Sequence, residues 1–451
     1  MLRRVHFWCF VLVVALAPLP LGANRPWSWT LLAVLVGLLC ASWPLATARD
    51  EDAPAVAPTR IAVPLALFGG VILWALAQTS SLPPESWAAP LWADALAALS
   101  TDEGQPGAAR VALDSPAALV GVMRLLCYAG VFWLALQHAR SGRRAHRLVE
   151  ALAVAAAVYA AYGLAVFLSG NETILWMEKW AYANSLTSTF VNRNTYATYA
   201  GLGFLCAVTA VAHRLEGVRM GRALLFHFRR PTALFALSGL VIALSLPETG
   251  SRAGTASAIL GLAALSGGLW ATARPPGRAR TMALLIVAAV VAALFLLAIG
   301  VITETGAVVG DFSDRARTYE LTLELLGRNP WTGLGLGSFA AAFAMIRPVD
   351  VALIWSEAHN TYLELAVELG IPATAALVSA VLWLIARCLR GAVARRRDAA
   401  YPILGVAATV LVGAHALFDF SLQIPAVTVT WAAILGAAVA QSWSTDAGHR
   451  P

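Results

Sequence analysis

Eight histidines occur in the chain. Six of them (His6, His138, His146, His213, His227 and His449) fall in or beside segments that charge patterning assigns to one side of a membrane, which leaves His359 and His415 at the opposite face. Imidazole titrates near neutral pH, so a base acting at that face is most simply drawn from these two. His359 stands in SEAHNTYLELAVELG (356–370), where Asn360, Glu364 and Glu368 follow at i, i+4 and i+8 and form one polar stripe. A charge at mid-bilayer costs about 2.5–3.5 kcal/mol on insertion scales, so such a stripe must face a bundle interior or a wet cavity. His415 and Asp419 in HALFDFSLQIPA (415–426) are also one helical turn apart, and a carboxylate beside an imidazole can orient the ring. The bland readings are a His that caps a helix and acids paired with Arg.

Arginines at the same face supply the second chemistry. Arg193 opens an apolar run in FVNRNTYA (190–197), Arg252 opens another in ETGSRAGT (248–255), and Arg124 lies a turn or two inside a third. Arg315 and Arg317 sit in the large segment before His359. Guanidinium carries a permanent charge and a fixed fork of donors, which suits phosphate oxygens. The small residues Gly250, Ser251, Ala253 and Gly254 would let a ligand approach the backbone. A lone Arg at a membrane edge is usually an anchor whose head reaches water. Three at the entries of separate runs, all on one side, are less easily explained that way.

The elements that must hold these residues are membrane helices. The chain has 451 residues, of which 59% are apolar and 13% charged, with a mean hydropathy of +0.71. A soluble domain carries roughly 25% charged residues. The composition thereby argues against a soluble enzyme, a disordered chain and a nucleic-acid-binding domain, despite a net charge of +7. Twelve apolar runs are long enough to be candidate spans: 5–22, 27–46, 61–79, 117–138, 149–169, 194–212, 232–247, 254–272, 281–303, 361–386, 401–420 and 425–442. The first reads as a membrane helix rather than a cleaved signal. With both termini in the cytoplasm, 22 basic residues fall inside and nine outside, and the reversed orientation would invert that bias. The reading is an all-α integral membrane protein, a single polytopic domain over 1–451, with a large outer loop at 304–360 between spans 9 and 10. That loop carries short helices, one over 314–327. Trp176, Trp180 and Tyr182 in segment 170–193 suit an interfacial aromatic belt.

Other patterns carry less. GLGLGS (333–338) follows no strand and is not a dinucleotide site. Asp311 and Asp314 lack partner acids at ligand spacing, and the five Cys form neither a metal set nor a disulfide framework, so no metal and no cofactor are expected. Asn171-Glu-Thr is a sequon of the kind that arises by chance. A twelve-span transporter would place its polar residues at mid-membrane and show similarity between halves; neither is seen.

The segments NRN (192–194), SRAG (251–254), RTYELTLELLGRNPWTGLGLGSF (317–339) and HN (359–360) separated by nine residues from Gly370 resemble the O-antigen ligase/polymerase superfamily of bacterial envelope glycosyltransferases. The resemblance covers roughly 120–430. It implies a GT-C-like membrane fold in the bacterial inner membrane with the active site facing the periplasm. It implies a glycan donor on undecaprenyl pyrophosphate, an acceptor sugar hydroxyl such as lipid A-core for a ligase or a growing glycan for a polymerase, and inverting, metal-independent transfer. Arg193 and Arg252 would then bind the pyrophosphate and His359 would serve the acceptor hydroxyl. Arg124, Arg315, Arg317, Asn360, Glu364, His415 and Asp419 would contact or support substrate. Membrane lipid is the surrounding partner, and nucleic acid is not one.

Overall fold

The structure is a computed structural model of the chain, in which residues 1–48, 56–92, 110–215, 230–272, 308–349, 351, 355–395 and 398–443 are described, with side chains excepted at 230 and 308–315. The helices are α1 (Leu2–Leu16), α2 (Pro26–Thr47), α3 (Ala62–Gln78), α4 (Ser115–His138), α5 (Gly142–Leu168), α6 (Arg193–Arg214), α7 (Arg230–Ser245), α8 (Arg252–Thr272), α9 (Val308–Arg328), α10 (Phe339–Ile346), α11 (Thr361–Leu369), α12 (Ile371–Ala394), α13 (Ala400–His415) and α14 (Pro425–Ala440). A two-stranded antiparallel hairpin, β1 (Thr173–Ile174) against β2 (Met177–Glu178), is the departure from an all-α reading among the described residues.

Among the described residues, eight helical segments are long and apolar enough to cross a membrane, counting the 3-10 turns that extend α3 back to Pro58 and α7 on to Thr249. The expected span at 281–303 lies outside the described residues. Helix α1 has 15 residues and α13 and α14 have 16 each, about 24 Å at most, short of a hydrocarbon core of about 30 Å. Pro18 and Pro20 follow the end of α1, and the 401–420 run turns out of helix at His415 before Pro425 opens α14. The expected span at 361–386 divides at Gly370. There φ is +81°, and a Cβ would collide with the Trp331 carbonyl, so α11 ends and the span proper starts at Ile371 with Pro372 in its first turn.

Helix α6 is the centre of the molecule. Its most apolar window is 94% buried, whereas that of α2 is 17% and that of α12 is 22%, which places α2 and α12 at the periphery, with Leu31, Leu38, Leu382 and Leu389 turned outward. Small residues along α6 (Ala197, Ala200, Gly201, Gly203, Ala207) let α5, α7 and α8 pack closely around it. Helix α14 packs on α4, and α13 packs between α8 and α14.

The GLGLGS loop is a structural joint. Leu334 N–H donates to the Val367 carbonyl (2.8 Å) and Gly335 N–H to the Glu368 carbonyl (2.9 Å), while Leu113 N–H donates to the Leu334 carbonyl (2.9 Å). Glu368 Oε1 accepts from Phe339 N–H (3.1 Å) at the start of α10. The loop thus ties α10, α11 and the entry to α4 together.

The far end of α6 is tied by charge. Arg214 and His146 both engage Glu150, the latter at 2.8 Å, and His146 Nδ1 lies 3.0 Å from the Tyr401 hydroxyl. Nearby, Arg140 Nη1 and Arg395 Nη1 donate to the Trp443 carbonyl at 2.9 and 2.8 Å, and the guanidinia of Arg60 and Arg387 lie 5.6 and 5.0 Å from the Trp443 ring. Arg60, Arg140, Arg214, Arg387 and Arg395, from segments read as inner by their charge, therefore gather at one end, opposite Arg193.

Candidate active site

Asn192, Arg193 and Asn194 send their side chains to three different places. Asn192 caps α6, its Oδ1 accepting from Asn194 N–H at 2.7 Å and Thr195 N–H at 3.4 Å, which is why the helix starts here. Asn194 Nδ2 donates to Asp419 Oδ2 in a short contact. Arg193 turns the other way. Its Nη1 donates to Ser185 Oγ (3.3 Å) and its guanidinium lies 5.5 Å from the Tyr182 ring.

Arg193 meets the SRAG turn. Gly250 is left-handed at φ +61°, and a Cβ there would stand 3.3 Å from Arg193 Nη1. Ser251 Oγ accepts from Gly254 N–H (3.2 Å) and caps α8. Arg252 follows, exposed, and no described residue forms a hydrogen bond or ion pair with its guanidinium. Leu186 N–H donates to the Glu248 carbonyl (2.9 Å) and fastens the turn to the strip before α6.

His359 lies on the other side of Asn194. Its Nδ1 is 3.8 Å from Asp419 Oδ1, an ion-pair distance beyond hydrogen-bond reach. The His359 side chain is 17% exposed and that of Asp419 is 0%, so the imidazole reaches open space and the carboxylate supports it from behind. Trp355 and Phe420 meet the ring edge to face at 5.1 and 4.9 Å. His359 has φ +53°, a left-handed conformation that costs about 1–3 kcal/mol for a residue with a Cβ. The Tyr319 hydroxyl, donating to the His359 carbonyl at 2.9 Å, and Glu364 Oε2, accepting from Ala358 N–H at 2.7 Å, hold it there. Thr361 Oγ1 donates to the Asp419 carbonyl (3.1 Å), closing the His359 loop onto the 415–424 turn.

The remaining predicted residues divide. Glu364 and Glu368 are both buried, as the polar stripe requires, and both serve backbone N–H groups. Asn360 Oδ1 caps α11, accepting from Tyr362 and Leu363 N–H at 3.1 Å each. His415 is fully buried in the last turn of α13, where its carbonyl accepts from Asp419 N–H at 3.0 Å. Arg317 is exposed on α9 and paired with Glu320 at 2.9 Å. The side chain of Arg315 lies outside the described residues. Arg124 stands 3.8 Å over the Trp29 ring, and its charge acts on Glu357.

Sequence reasoning passed over Glu357 and Asn194. Burial pushes the Glu357 carboxyl up; a hydrogen bond from Ser356 opposes this, the Asp419 charge adds to it and Arg124 opposes it. Glu357 thus links Arg124 to the His359 neighbourhood. Asn194 lay inside the quoted NRN, but only tertiary contact gives it a role. Among the described residues no three His, Cys, Asp or Glu side chains converge on one point as cation ligands.

Eight apolar helical segments long enough to cross a membrane define a multi-pass membrane protein, and Arg193, Arg252 and His359 lie at one end of its buried core. Residues 235–378, about a third of the chain, match the family described as O-antigen ligase, which supports the resemblance to the O-antigen ligase superfamily. The match runs from α7 into α12 and includes Arg252, the large loop and His359; Arg124, Arg193 and Asp419 lie outside it. The family is one of membrane enzymes of ligase or polymerase type. No curated protein matches the chain.

Proposed function

We propose that the protein transfers a glycan from undecaprenyl pyrophosphate to an acceptor hydroxyl, as an O-antigen ligase acting on lipid A-core, at the periplasmic face of the bacterial inner membrane with both termini in the cytoplasm. The observation that carries this is the divergence of Arg193 and Asn194. Successive helical residues point about 100° apart, so one turn of α6 serves an anion cradle on one side and the His359–Asp419 pair on the other. Inverting transfer needs that layout, because the acceptor oxygen must arrive opposite the departing pyrophosphate.

In the reaction the acceptor oxygen bonds to the anomeric carbon of the donor sugar as the bond from that carbon to the phosphate oxygen breaks. The bonding pair leaves with the pyrophosphate, and the acceptor proton passes to His359. Arg193 and Arg252 meet the charge that grows on the leaving oxygen, where preorganised donors lower the barrier most. The capped N-termini of α6 and α8 add positive dipole ends beside them. Asp419, anchored by Asn194, steadies the imidazolium. The pyrophosphate leaving group needs no nucleotide, and no metal is required where two guanidinia take its charge.

The test is transfer by the purified protein with EDTA present, using an undecaprenyl pyrophosphate-linked glycan and two acceptors, lipid A-core and a second copy of the lipid-linked glycan. Transfer to lipid A-core that His359→Ala and Arg252→Ala both lose supports the ligase reading. Chain elongation instead makes the protein a polymerase of the same superfamily. No transfer to either acceptor, with His359→Ala retaining function in cells, sinks the site.

A further inference from the structure

A cavity lies away from the His359 pair, and tryptophans line it. It measures about 560 Å³, within the range of small-ligand sites. Its walls are Trp74 from α3, Ser86 and Trp87 from the turn that follows, Asn329, Trp331 and Thr332 from the link after α9, and the first turn of α12. Trp331 is 70% exposed and Trp87 45%, so large indole faces stand open.

The frame behind those faces is fixed. The Trp74 indole N–H donates to the Leu369 carbonyl (2.9 Å), and its ring meets Trp87 at 6.2 Å. Gln78 Nε2 donates to the carbonyls of Thr332 (2.7 Å) and Glu368 (2.9 Å), and Ile371 N–H donates to the Pro330 carbonyl (2.8 Å). Thr332 Oγ1 donates to Asn329 Oδ1 (2.7 Å), and Asn329 Nδ2 gives one hydrogen to the Gly333 carbonyl (2.8 Å) and keeps a second. Ser86 adds an exposed hydroxyl.

Open indole faces with an amide and hydroxyls at their rim match one chemistry. A pyranose ring presents an apolar C–H face that stacks on an aromatic ring and an equatorial girdle of hydroxyls that needs donors and acceptors. A lipid tail would have no use for Asn329, Thr332 and Ser86. The cavity adjoins the C-terminal end of α11, and His359 lies just before its N-terminal end. Nine helical residues separate the two, about 13 Å.

We propose that this cavity is a distal glycan subsite, in which Trp87 and Trp331 stack a sugar ring of the same saccharide whose reacting end lies at His359. The proposal rests on the glycan-transfer reading above. It adds a specificity role for the NPWT link and the turn at Trp87.

The experiment uses the full chain in nanodiscs and, as probe, the lipid-free oligosaccharide released by mild acid from the lipid-linked glycan of the transfer assay. Binding is followed by equilibrium dialysis for wild type, Trp331→Ala, Trp87→Ala and Trp331→Phe. Loss of one stacking face is expected to raise Kd by about tenfold in either Trp→Ala variant, with Trp331→Phe within about threefold of wild type. Absence of saturable binding by wild type, or equal binding by both Trp→Ala variants, overturns the subsite. So does a tryptophan emission that brominated lipids quench in wild type but not in Trp331→Ala, since Trp331 is then a membrane anchor. Trp-dependent binding without transfer to any acceptor would refute the transfer reading while leaving the subsite; transfer without Trp-dependent binding would do the reverse.

Discussion

The two ends of α6 use the same residue types in opposite ways. At the end proposed to face the cytoplasm, the inner end, Arg214 engages Glu150, Arg140 and Arg395 engage backbone carbonyls near Trp443, and Arg395 also lies 3.6 Å from Asp398. At the outer end Arg193 has one long bond to a serine, Arg124 rests on an indole, and Arg252 has no described partner. A guanidinium whose donors end on carboxylates or helix carbonyls is closing a structure. One held by an aromatic face and a hydroxyl keeps its charge and most of its donors for something that arrives later. Charge alone would not separate these sets, because both are arginines at membrane edges. Their partners do.

The comparison breaks most readily at its strongest contrast. His359→Ala is expected to lower the transfer rate by about 10²–10⁴-fold with little change in thermal midpoint, since positioned proton transfer contributes on that order. Arg214→Ala is expected to do the opposite, because it leaves Glu150 with His146 alone and should lower the midpoint while the folded fraction still transfers. Initial rates and melting curves on both variants decide it. If Arg214→Ala lost transfer with an unchanged midpoint, the inner end would not be merely structural.

A smaller effect sharpens the reading of the outer end. Arg193→Lys keeps the charge and removes the fork, and it is expected to lower transfer by on the order of tenfold through weaker donor binding. Kinetics at varied donor concentration check this. A fall in kcat alone, with donor KM unchanged, would mean that Arg193 acts only in the transition state.

Much of this architecture was legible in the sequence, and the misses have physical causes. Hydropathy located most helices because lipid demands long apolar runs. It overran at Gly370 and His415, where apolar composition continues through a turn and only backbone conformation stops the helix. His359, Arg193 and Arg252 stood out because charge and imidazole are costly at a membrane edge. Asn194, Glu357, Trp87 and Trp331 did not, because their roles depend on partners distant in the chain, such as Asp419, 225 residues beyond Asn194. Arg317, singled out by charge, turned out to be paired on an exposed helix face.

Gly250→Ala tests how closely the SRAG turn is fitted to Arg193. A Cβ at φ +61° is strained by about 1–2 kcal/mol and would meet Nη1 at 3.3 Å, so Arg193 must shift. The variant is expected to melt slightly earlier and to raise donor KM several-fold, an effect short of Arg193→Lys. A lowered midpoint with unchanged donor KM would show that the turn supports the fold and not the anion site.

The smallest expected effect concerns Glu357. Its carboxyl titrates above the ordinary carboxylate range in the folded protein because it is desolvated and faces Asp419. A group whose folded pKa is raised favours the native state while protonated, and that advantage is lost as pH rises from its unfolded pKa through its folded one. Glu357→Gln removes the ionisation. The midpoint difference, variant minus wild type, should therefore climb as pH rises from about 4.5 and then level off, reaching about 2 °C for this half-buried group. A difference that is flat with pH, or that falls, would mean that Arg124 outweighs burial and Asp419 at this position, and Arg124 would then belong with the paired arginines of the inner end.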